Sequence, residues 1–181
     1  YNRGGVVEIS WHSTNPVTMQ SAWDPSGRAV SQILPGGKDN PRFMSWLSRV
    51  GKFLLSIRTA DGTLVPPIFR PWHEMSGGWF WWGAKDANSY KALWILMFET
   101  FKAKGINNLI WVWTTETNDN SWYPGDAYVD IIGRDIYNKK DAAAINKEYL
   151  SIRKTYPSKM VTLSECGNVA NISQQWSANA K

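Results

Sequence analysis

The sequence has little of the chemistry that holds disulfide-stapled or metal-centred proteins together. Its 181 residues include one cysteine, Cys166, which excludes an intramolecular disulfide framework and a cysteine-based zinc site. Two histidines, His12 and His73, are too few for a histidine-rich metal centre. No apolar run approaches the ~20 residues that cross a bilayer. We therefore expect no metal, no cofactor and no membrane span.

The charge pattern excludes few classes of function, but it argues against a nucleic-acid-binding protein. There are 20 Lys and Arg against 15 Asp and Glu, a formal net charge of +5, and the basic residues are scattered. Because they form no stripe that would follow a phosphate backbone, we expect no nucleic-acid partner. With 43% hydrophobic and 19% charged residues, the composition is that of a folded chain. The length suits a single domain over residues 1–181.

One residue type is over-represented. The 12 tryptophans, with 7 tyrosines and 6 phenylalanines, bring the aromatic share to 14%. Several lie in polar, glycine-containing segments, at residues 79–83 and 121–124. Flat apolar rings beside polar groups suit a sugar-binding cleft, because a pyranose has an apolar C–H face and a rim of hydroxyl groups. A tryptophan-rich core explains the composition equally well, since large rings dominate burial energetics.

Apolar runs typical of strands alternate with segments of helical periodicity. Strands are expected at residues 6–11, 65–70, 109–114, 131–137 and 160–164. One helix is expected from an Asn40 N-cap and Pro41, a second through residues 90–101, and a third after an Asp141 cap. We expect turns at residues 12–39 and only a short helix, near 126–129, between the third and fourth strands. Such alternation is the βαβ signature of a parallel α/β sheet.

Two glutamates lie where two of these strands end. Glu74 follows the second strand beside the aromatic segment, and Glu165 closes the fifth. In α/β barrels the chemistry collects at the carboxyl ends of the strands, so the two side chains would share one mouth. A carboxylate pair flanking one bond is the equipment of a glycosidase. A lone glutamate is usually a solvated surface residue, but the pair beside aromatic rings favours catalysis.

Other polar residues are expected near the same strand ends, but their sequence pattern is less specific for catalysis. His73 precedes Glu74 in an extended segment, so it points the other way unless the strand breaks there. It can then bond the other glutamate or a sugar hydroxyl, or be a structural histidine. Asp135 and Tyr137 lie two apart on one strand face, so Asp135 can orient Tyr137 toward a catalytic carboxylate, or the two form a buried pair. Arg70, at a strand end, can pair with either glutamate or with a loop.

Several segments resemble β-mannanases of glycoside hydrolase family 26, a clan A family of retaining enzymes. Residues 70–83, RPWHEMSGGWFWWG, closely resemble the acid/base segment of that family. Further matching segments follow in family order, at residues 9–12, 109–113, 122–125, 133–137 and 164–167. One departure is Ser76, which stands where an asparagine is expected and alters a loop contact without touching the acid.

The resemblance implies an α/β fold, the (β/α)8 TIM barrel, and a retaining endo-β-1,4-mannanase that hydrolyses internal bonds of mannan, glucomannan or galactomannan. Carried over by motif, Glu74 would be the general acid/base and Glu165 the nucleophile. His73 would help to position the sugar at the cleavage point. Tyr137 would bond the nucleophile, with Asp135 in support.

Further binding residues are implied by the same resemblance. Trp79 would be a platform for the sugar at the cleavage point, with Phe80 beside it, while His12 and Trp23 would line the leaving-group side. By strand count the chain supplies barrel strands three to seven and lacks one, two and eight, so we expect an incomplete catalytic domain. The polymeric substrate implies a secreted, cell-surface or periplasmic location. We expect a monomer.

Two alternatives stay open from the sequence. A non-catalytic mannan-binding or carbohydrate-binding protein explains the tryptophans without needing the carboxylates. A sister specificity, a β-glucanase or β-xylanase of the same family, uses the same catalytic pair on another polysaccharide. A nucleic-acid binder is a distant third, for which salt-sensitive binding to DNA would be the test.

Overall fold

Five parallel strands stand side by side in chain order in one sheet. The computed structural model describes residues 1, 3–83, 86–139, 141–168, 171, 173 and 177. The strands are β1 (Glu8–Trp11), β2 (Ile68–Pro71), β3 (Ile110–Thr114), β4 (Ile131–Ile136) and β5 (Met160–Cys166). The helices are α1 (Ala29–Ile33), α2 (Asn40–Ser56), α3 (Ala87–Ala103) and α4 (Ala142–Thr155). All four strand pairs are parallel, which confirms the expected arrangement of part of a (β/α)8 barrel.

The strands start later than two of the apolar runs suggest. β2 begins at Ile68 rather than at residue 65, because Pro66 and Pro67 have no amide hydrogen for a strand ladder. The amide of Val65 donates instead to the carbonyl of Ile57 (3.0 Å). β1 begins at Glu8 rather than at residue 6, and the side chain of Val6 is exposed.

The connections contain short elements that periodicity does not predict. The segment expected to be all turns holds α1, whose three apolar residues Ala29, Val30 and Ile33 are buried. The link between β3 and β4 holds the short helix expected near residues 126–129, as the 3₁₀ turn Asp126–Tyr128, and a second 3₁₀ turn, Asn120–Trp122, that was not expected. Elements of three to five residues span at most about one turn and a half, too little for a repeat to show.

The three long helices are confirmed where periodicity predicts them. Asp86 caps α3 and Asp141 caps α4, each accepting backbone N–H groups of the first turn. The expected Asn40 cap is wrong, since Asn40 is the first residue of α2 and its side chain donates to the carbonyl of Ile33 (2.7 Å). None of the helices in the described part of the chain is long and apolar enough to cross a membrane.

The core lies between the sheet and these helices and is rich in aromatic rings. The tryptophans divide between the surface and the core. Trp23 and Trp79 are 63% and 39% exposed, so they present rings to solvent. Five others are fully buried: Trp72, Trp81, Trp82, Trp94 and Trp113.

Candidate active site

A cleft of about 520 Å³ opens at the carboxyl ends of the strands. All nine residues singled out from the sequence line it: His12, Trp23, His73, Glu74, Trp79, Phe80, Asp135, Tyr137 and Glu165. These residues come from the ends of β1, β2, β4 and β5 and from the loops that follow them. The fold therefore brings together side chains that are up to about 150 positions apart in the sequence.

The backbone after β2 aims two of these residues into the cleft. Trp72 and Glu74 both adopt left-handed conformations, each with φ of 51°. A non-glycine residue in this region costs of order 1–3 kcal/mol, and such strain collects at functional sites. Two hydrogen bonds hold the turn, from Trp82 Nε1 to the His73 carbonyl (2.8 Å) and from Tyr90 Oη to the Trp72 carbonyl (3.2 Å). The strand thus breaks here, and His73 reaches the same cleft as Glu74.

Glu165 is surrounded by groups that stabilise its ionised form. Arg70 Nη2 pairs with Oε1, and Tyr137 Oη donates to Oε2. His73 Nε2 lies 3.7 Å from Oε1. Burial acts to raise the pKa of Glu165, but the hydrogen bond from Tyr137 and the pairing with Arg70 outweigh it, so the pKa is lowered. The same bond raises the pKa of Tyr137 to about 12, which keeps its hydroxyl a donor.

Glu74 lies in a different environment in the same cleft. Its carboxylate is half-buried, and Oε2 accepts a hydrogen bond from Trp79 Nε1 (3.1 Å). Burial, assisted by the negative charge of Glu165, raises the pKa of Glu74 against the effect of the Trp79 bond. The pKa values of the two carboxyl groups are therefore shifted in opposite directions. Such a difference lets one site contain both a proton donor and an anion.

Arg70 connects its own strand, β2, with β1, β4 and β5. Its side chain is 3% exposed and contacts Glu8 (Nε to Oε1, 2.9 Å), Asp135 (Nη1 to Oδ2, 3.4 Å) and Glu165. Burial raises the pKa of Asp135 to about 7, although Arg70 opposes this. The carboxylate of Asp135 pairs with Arg70, and its negative charge also acts to raise the pKa of Tyr137. Support of Tyr137 by Asp135 stays a prediction.

Aromatic rings form one wall of the cleft. His12 and His73 meet edge to face with centroids 4.4 Å apart, and Phe80 stacks on Trp82 at 4.2 Å. Trp23 covers the other side of Phe80 at 4.6 Å. Burial, together with the charge of Arg70, lowers the pKa of His73 to about 4, so this imidazole is neutral at physiological pH. The exposed rings offer flat apolar surface beside hydrogen-bonding groups.

The structure adds cleft residues that the sequence reasoning did not single out. Glu116 follows β3, and Arg134 donates to it from Nη1 (3.0 Å) while Arg134 Nε contacts Glu148 (3.4 Å). Asn138 and Lys139 line the cleft beyond β4. Burial raises the pKa of Glu116. A signal for Glu116 was available, since it is an acid placed just after a strand, as Glu74 and Glu165 are.

Two sets of three side chains bring possible metal-binding atoms within 4.8 Å of one another: His73, Asp135 and Glu165, and Glu74, Glu116 and Asp135. Three of the four carboxylates in these sets already pair with Arg70 or Arg134. Guanidinium groups thus supply positive charge at the positions where a cation would otherwise compensate the carboxylates.

Two known enzymes are similar to this chain in amino-acid sequence. The mannan endo-1,4-beta-mannosidase of Thermothelomyces thermophilus is 33% identical over 176 residues, which cover 91% of this chain and 36% of that protein. Mannan endo-1,4-beta-mannosidase B of Piromyces sp is 39% identical over 187 residues, 99% of this chain and 31% of that protein. The chain thus spans about a third of the length of these two relatives.

Solved structures and a family model agree with these relatives. A GH26 beta-mannanase from Bacteroides ovatus superposes with a TM-score of 0.84 at 34% identity, covering 93% of this chain and 53% of that one. A beta-mannanase from a symbiotic protist of the termite Reticulitermes speratus, complexed with gluco-manno-oligosaccharide, gives 0.84 at 32% identity, with 97% and 57% covered. The model of glycosyl hydrolase family 26 matches residues 1–178. The chain belongs to glycosyl hydrolase family 26.

Proposed function

We propose that the protein is a retaining endo-β-1,4-mannanase. The observation that carries the proposal is the pair of carboxylates in one cleft with opposite pKa shifts, raised for Glu74 and lowered for Glu165. A proton-holding carboxyl and an ionised carboxylate are the acid and the nucleophile of double-displacement glycoside hydrolysis. The choice of mannan as substrate is supported by the relatives, which are mannan endo-1,4-beta-mannosidases.

In the first step, Glu165 attacks the anomeric carbon while Glu74 gives its proton to the departing glycosidic oxygen. The bond from the anomeric carbon to that oxygen breaks, and a covalent glycosyl–Glu165 ester forms. Arg70 and Tyr137 hold the carboxylate of Glu165 on its two oxygens, so it enters the reaction ionised and oriented. Trp79 bonds Glu74 and presents its ring to the cleft, which suits a sugar lying beside the acid.

In the second step, Glu74 is ionised and takes a proton from a water molecule, whose oxygen attacks the anomeric carbon. The ester bond breaks, Glu165 leaves as carboxylate, and the new hydroxyl has the configuration of the original bond. His73 stays neutral because of its burial, so it adds no positive charge that would compete with Arg70 for Glu165.

The direct test is mannan hydrolysis by the variants Glu74→Gln and Glu165→Gln. We expect each to lose at least about 10²–10⁴-fold in turnover, the range for removal of a general acid or base, while still binding manno-oligosaccharides. Glu99→Gln is the matched control, because Glu99 is exposed on α3 far from the cleft. Near-wild-type turnover of either cleft variant contradicts the proposal.

Three other outcomes point elsewhere. Tight mannan binding without release of reducing ends by the wild-type protein supports a non-catalytic binding protein. Hydrolysis of barley β-glucan or of xylan with mannan untouched supports the sister specificity. Proton NMR of the first product tests retention, which requires the β-anomer to appear before mutarotation; the α-anomer would indicate inversion.

We further propose that the protein works as a monomer in a secreted, cell-surface or periplasmic location. Both carboxylates of the proposed steps, and the groups that hold them, belong to one chain, so these steps need no second copy. A polysaccharide is too large to diffuse across a membrane, which supports action outside the cytoplasm. Light scattering tests the first statement and fractionation of the source cells the second. A stable dimer, or activity confined to the cytoplasmic fraction, contradicts them.

A further inference from the structure

A third carboxylate of the cleft has no part in the two steps above. Glu116 follows β3 and lines the cleft, and one of its oxygens lies within 4.8 Å of carboxylate oxygens of Glu74 and Asp135. We propose that Glu116 is a positioning residue for the catalytic proton: its carboxylate, held beside Glu74, keeps a proton on Glu74 up to higher pH. This inference rests on the proposed function, in which Glu74 is the acid.

The side chain of Glu116 is held in place on one carboxylate oxygen and lacks a hydrogen-bond donor on the other. Arg134 binds one oxygen and is itself anchored by Glu148 and by the carbonyl of Asp135 (2.7 Å), so the side chain cannot swing away freely. The other oxygen, Oε1, is buried and accepts no hydrogen bond from the part of the chain that the structure describes. A buried acceptor without a donor is unfavourable, and a proton held among the neighbouring carboxyl groups reduces that cost.

Glu74 is faced by charged and titratable groups from every neighbouring strand end: Arg70 and His73 after β2, Glu116 after β3, Arg134, Asp135 and Tyr137 around the end of β4, and Glu165 on β5. The charge of Arg70 is already shared among three carboxylates, and that of Arg134 between two. Of the charges that act on Glu74, that of Glu165 raises its pKa and those of Arg70 and Arg134 lower it, while the carboxylate of Glu116 places a further negative charge within 4.8 Å.

The consequence for the reaction concerns the pH range in which Glu74 holds its proton. Glu74 must hold a proton when the substrate arrives and release it to the leaving oxygen. Two carboxyl groups this close titrate as a pair, and loss of the last proton is opposed by the charge already present. Glu116 makes and breaks no bond itself; it moves the pH at which the acid form is lost.

The experiment is the pH dependence of kcat/KM for manno-oligosaccharide hydrolysis, with variants made in the full natural chain. In Glu116→Gln the basic limb of the profile is expected to move to lower pH by about half to one unit, the scale for a partly screened charge at this distance. Glu116→Asp keeps the charge and is expected to restore much of the wild-type limb. It also serves as the second variant if Gln at this position prevents folding.

Glu148→Gln is the matched control. It removes the other carboxylate partner of Arg134, and with it the partner of Lys139, yet Glu148 itself lies on α4 outside the cleft. Its basic limb is expected to coincide with that of the wild type. An unmoved limb in Glu116→Gln, or an equal displacement in Glu148→Gln, overturns the inference.

Carboxyl ¹³C NMR of glutamate-labelled protein reads the same titration without turnover, with Glu74→Gln used to assign the Glu74 resonance. A lower Glu74 midpoint in Glu116→Gln supports the inference even if the wild type cleaves no mannan, in which case the proposed function alone fails. Equal midpoints in wild type and Glu116→Gln overturn the inference, whatever the activity.

Discussion

Replacing Tyr137 by phenylalanine removes a hydrogen bond that holds Glu165 ionised and leaves the ring in place. A hydrogen bond to a charged group is worth about 1.5–3 kcal/mol. Because Tyr137 is 51% exposed, water replaces part of the lost bond, so we expect the lower end, about 1.5 kcal/mol. Since about 1.4 kcal/mol corresponds to one pKa unit, the pKa of Glu165 should rise by about one unit. On the acid side of the profile, where that rise converts more of Glu165 to its protonated form, kcat/KM should fall by up to about tenfold.

The sign of the pH effect follows from which form of Glu165 is stabilised. The folded-state pKa of Glu165 lies below its ordinary value of 4.5, so its contribution to stability is present above that pH and is lost as pH falls through the folded value. In Tyr137→Phe, part of this contribution disappears at neutral pH. The acid limb of kcat/KM, which reports protonation of the nucleophile, moves to higher pH.

The assay is the pH profile of kcat/KM on manno-oligosaccharides, with the melting temperature measured in parallel. Tyr149→Phe is the control, because Tyr149 lies on α4 outside the cleft and loses an equivalent hydroxyl. Its profile should match that of the wild type. An acid limb of Tyr137→Phe that stays at the wild-type position would refute the role assigned to this hydrogen bond.

Three further predictions follow from the charges of the site. Arg70→Gln should lower the free energy of unfolding by about 3–5 kcal/mol, because it leaves buried carboxylates uncompensated; an unchanged urea midpoint contradicts this. Trp79→Phe removes the donor to Glu74, whose pKa that bond lowers, so the basic limb of kcat/KM should move to higher pH; a downward shift is the contrary result. Asp135→Asn should gain stability relative to wild type as pH rises from about 4 to about 7, by at most about 1.4 kcal/mol per pH unit. Over that range Asp135 of the folded wild type keeps a proton that the unfolded chain has lost, so the wild type loses stability as pH rises and the variant does not. The measurement is the free energy of unfolding in urea at several pH values. A difference between variant and wild type that does not change with pH contradicts the prediction.

The alternation of strands and long helices was open to prediction from the sequence. Each long helix buries one stripe of its surface, as α3 does with Tyr90, Leu93 and Met97, and that stripe appears in the sequence as a repeat of three and four. Each strand end carries residues that the parallel order brings to one edge. The short α1 and the 3₁₀ turns leave no such repeat, because tertiary contacts rather than periodicity stabilise them.

The tryptophans show what the local sequence pattern does not predict, namely which rings are buried and which line the cleft. Within residues 79–83, Trp79 lines the cleft while Trp81 and Trp82 are buried, although the three are chemically the same. Trp81 Nε1 donates to the carbonyl of Ser13 (2.9 Å), a partner 68 positions away. Only the folded chain distinguishes a core ring from a cleft ring, because that depends on which distant segment packs beside each one.

The sequence by itself determined which side chains meet. Glu74 follows β2 and Glu165 lies at the carboxyl end of β5, and the parallel order of the strands sends both to the same edge of the sheet. Which of them holds the proton was decided by the tertiary structure. Arg70 reaches Asp135 and Glu165 across 65 and 95 positions of sequence, and no local pattern encodes such contacts. The pKa of a carboxyl group depends on its burial and on the charges within a few ångströms of it, and both exist only once the chain has folded.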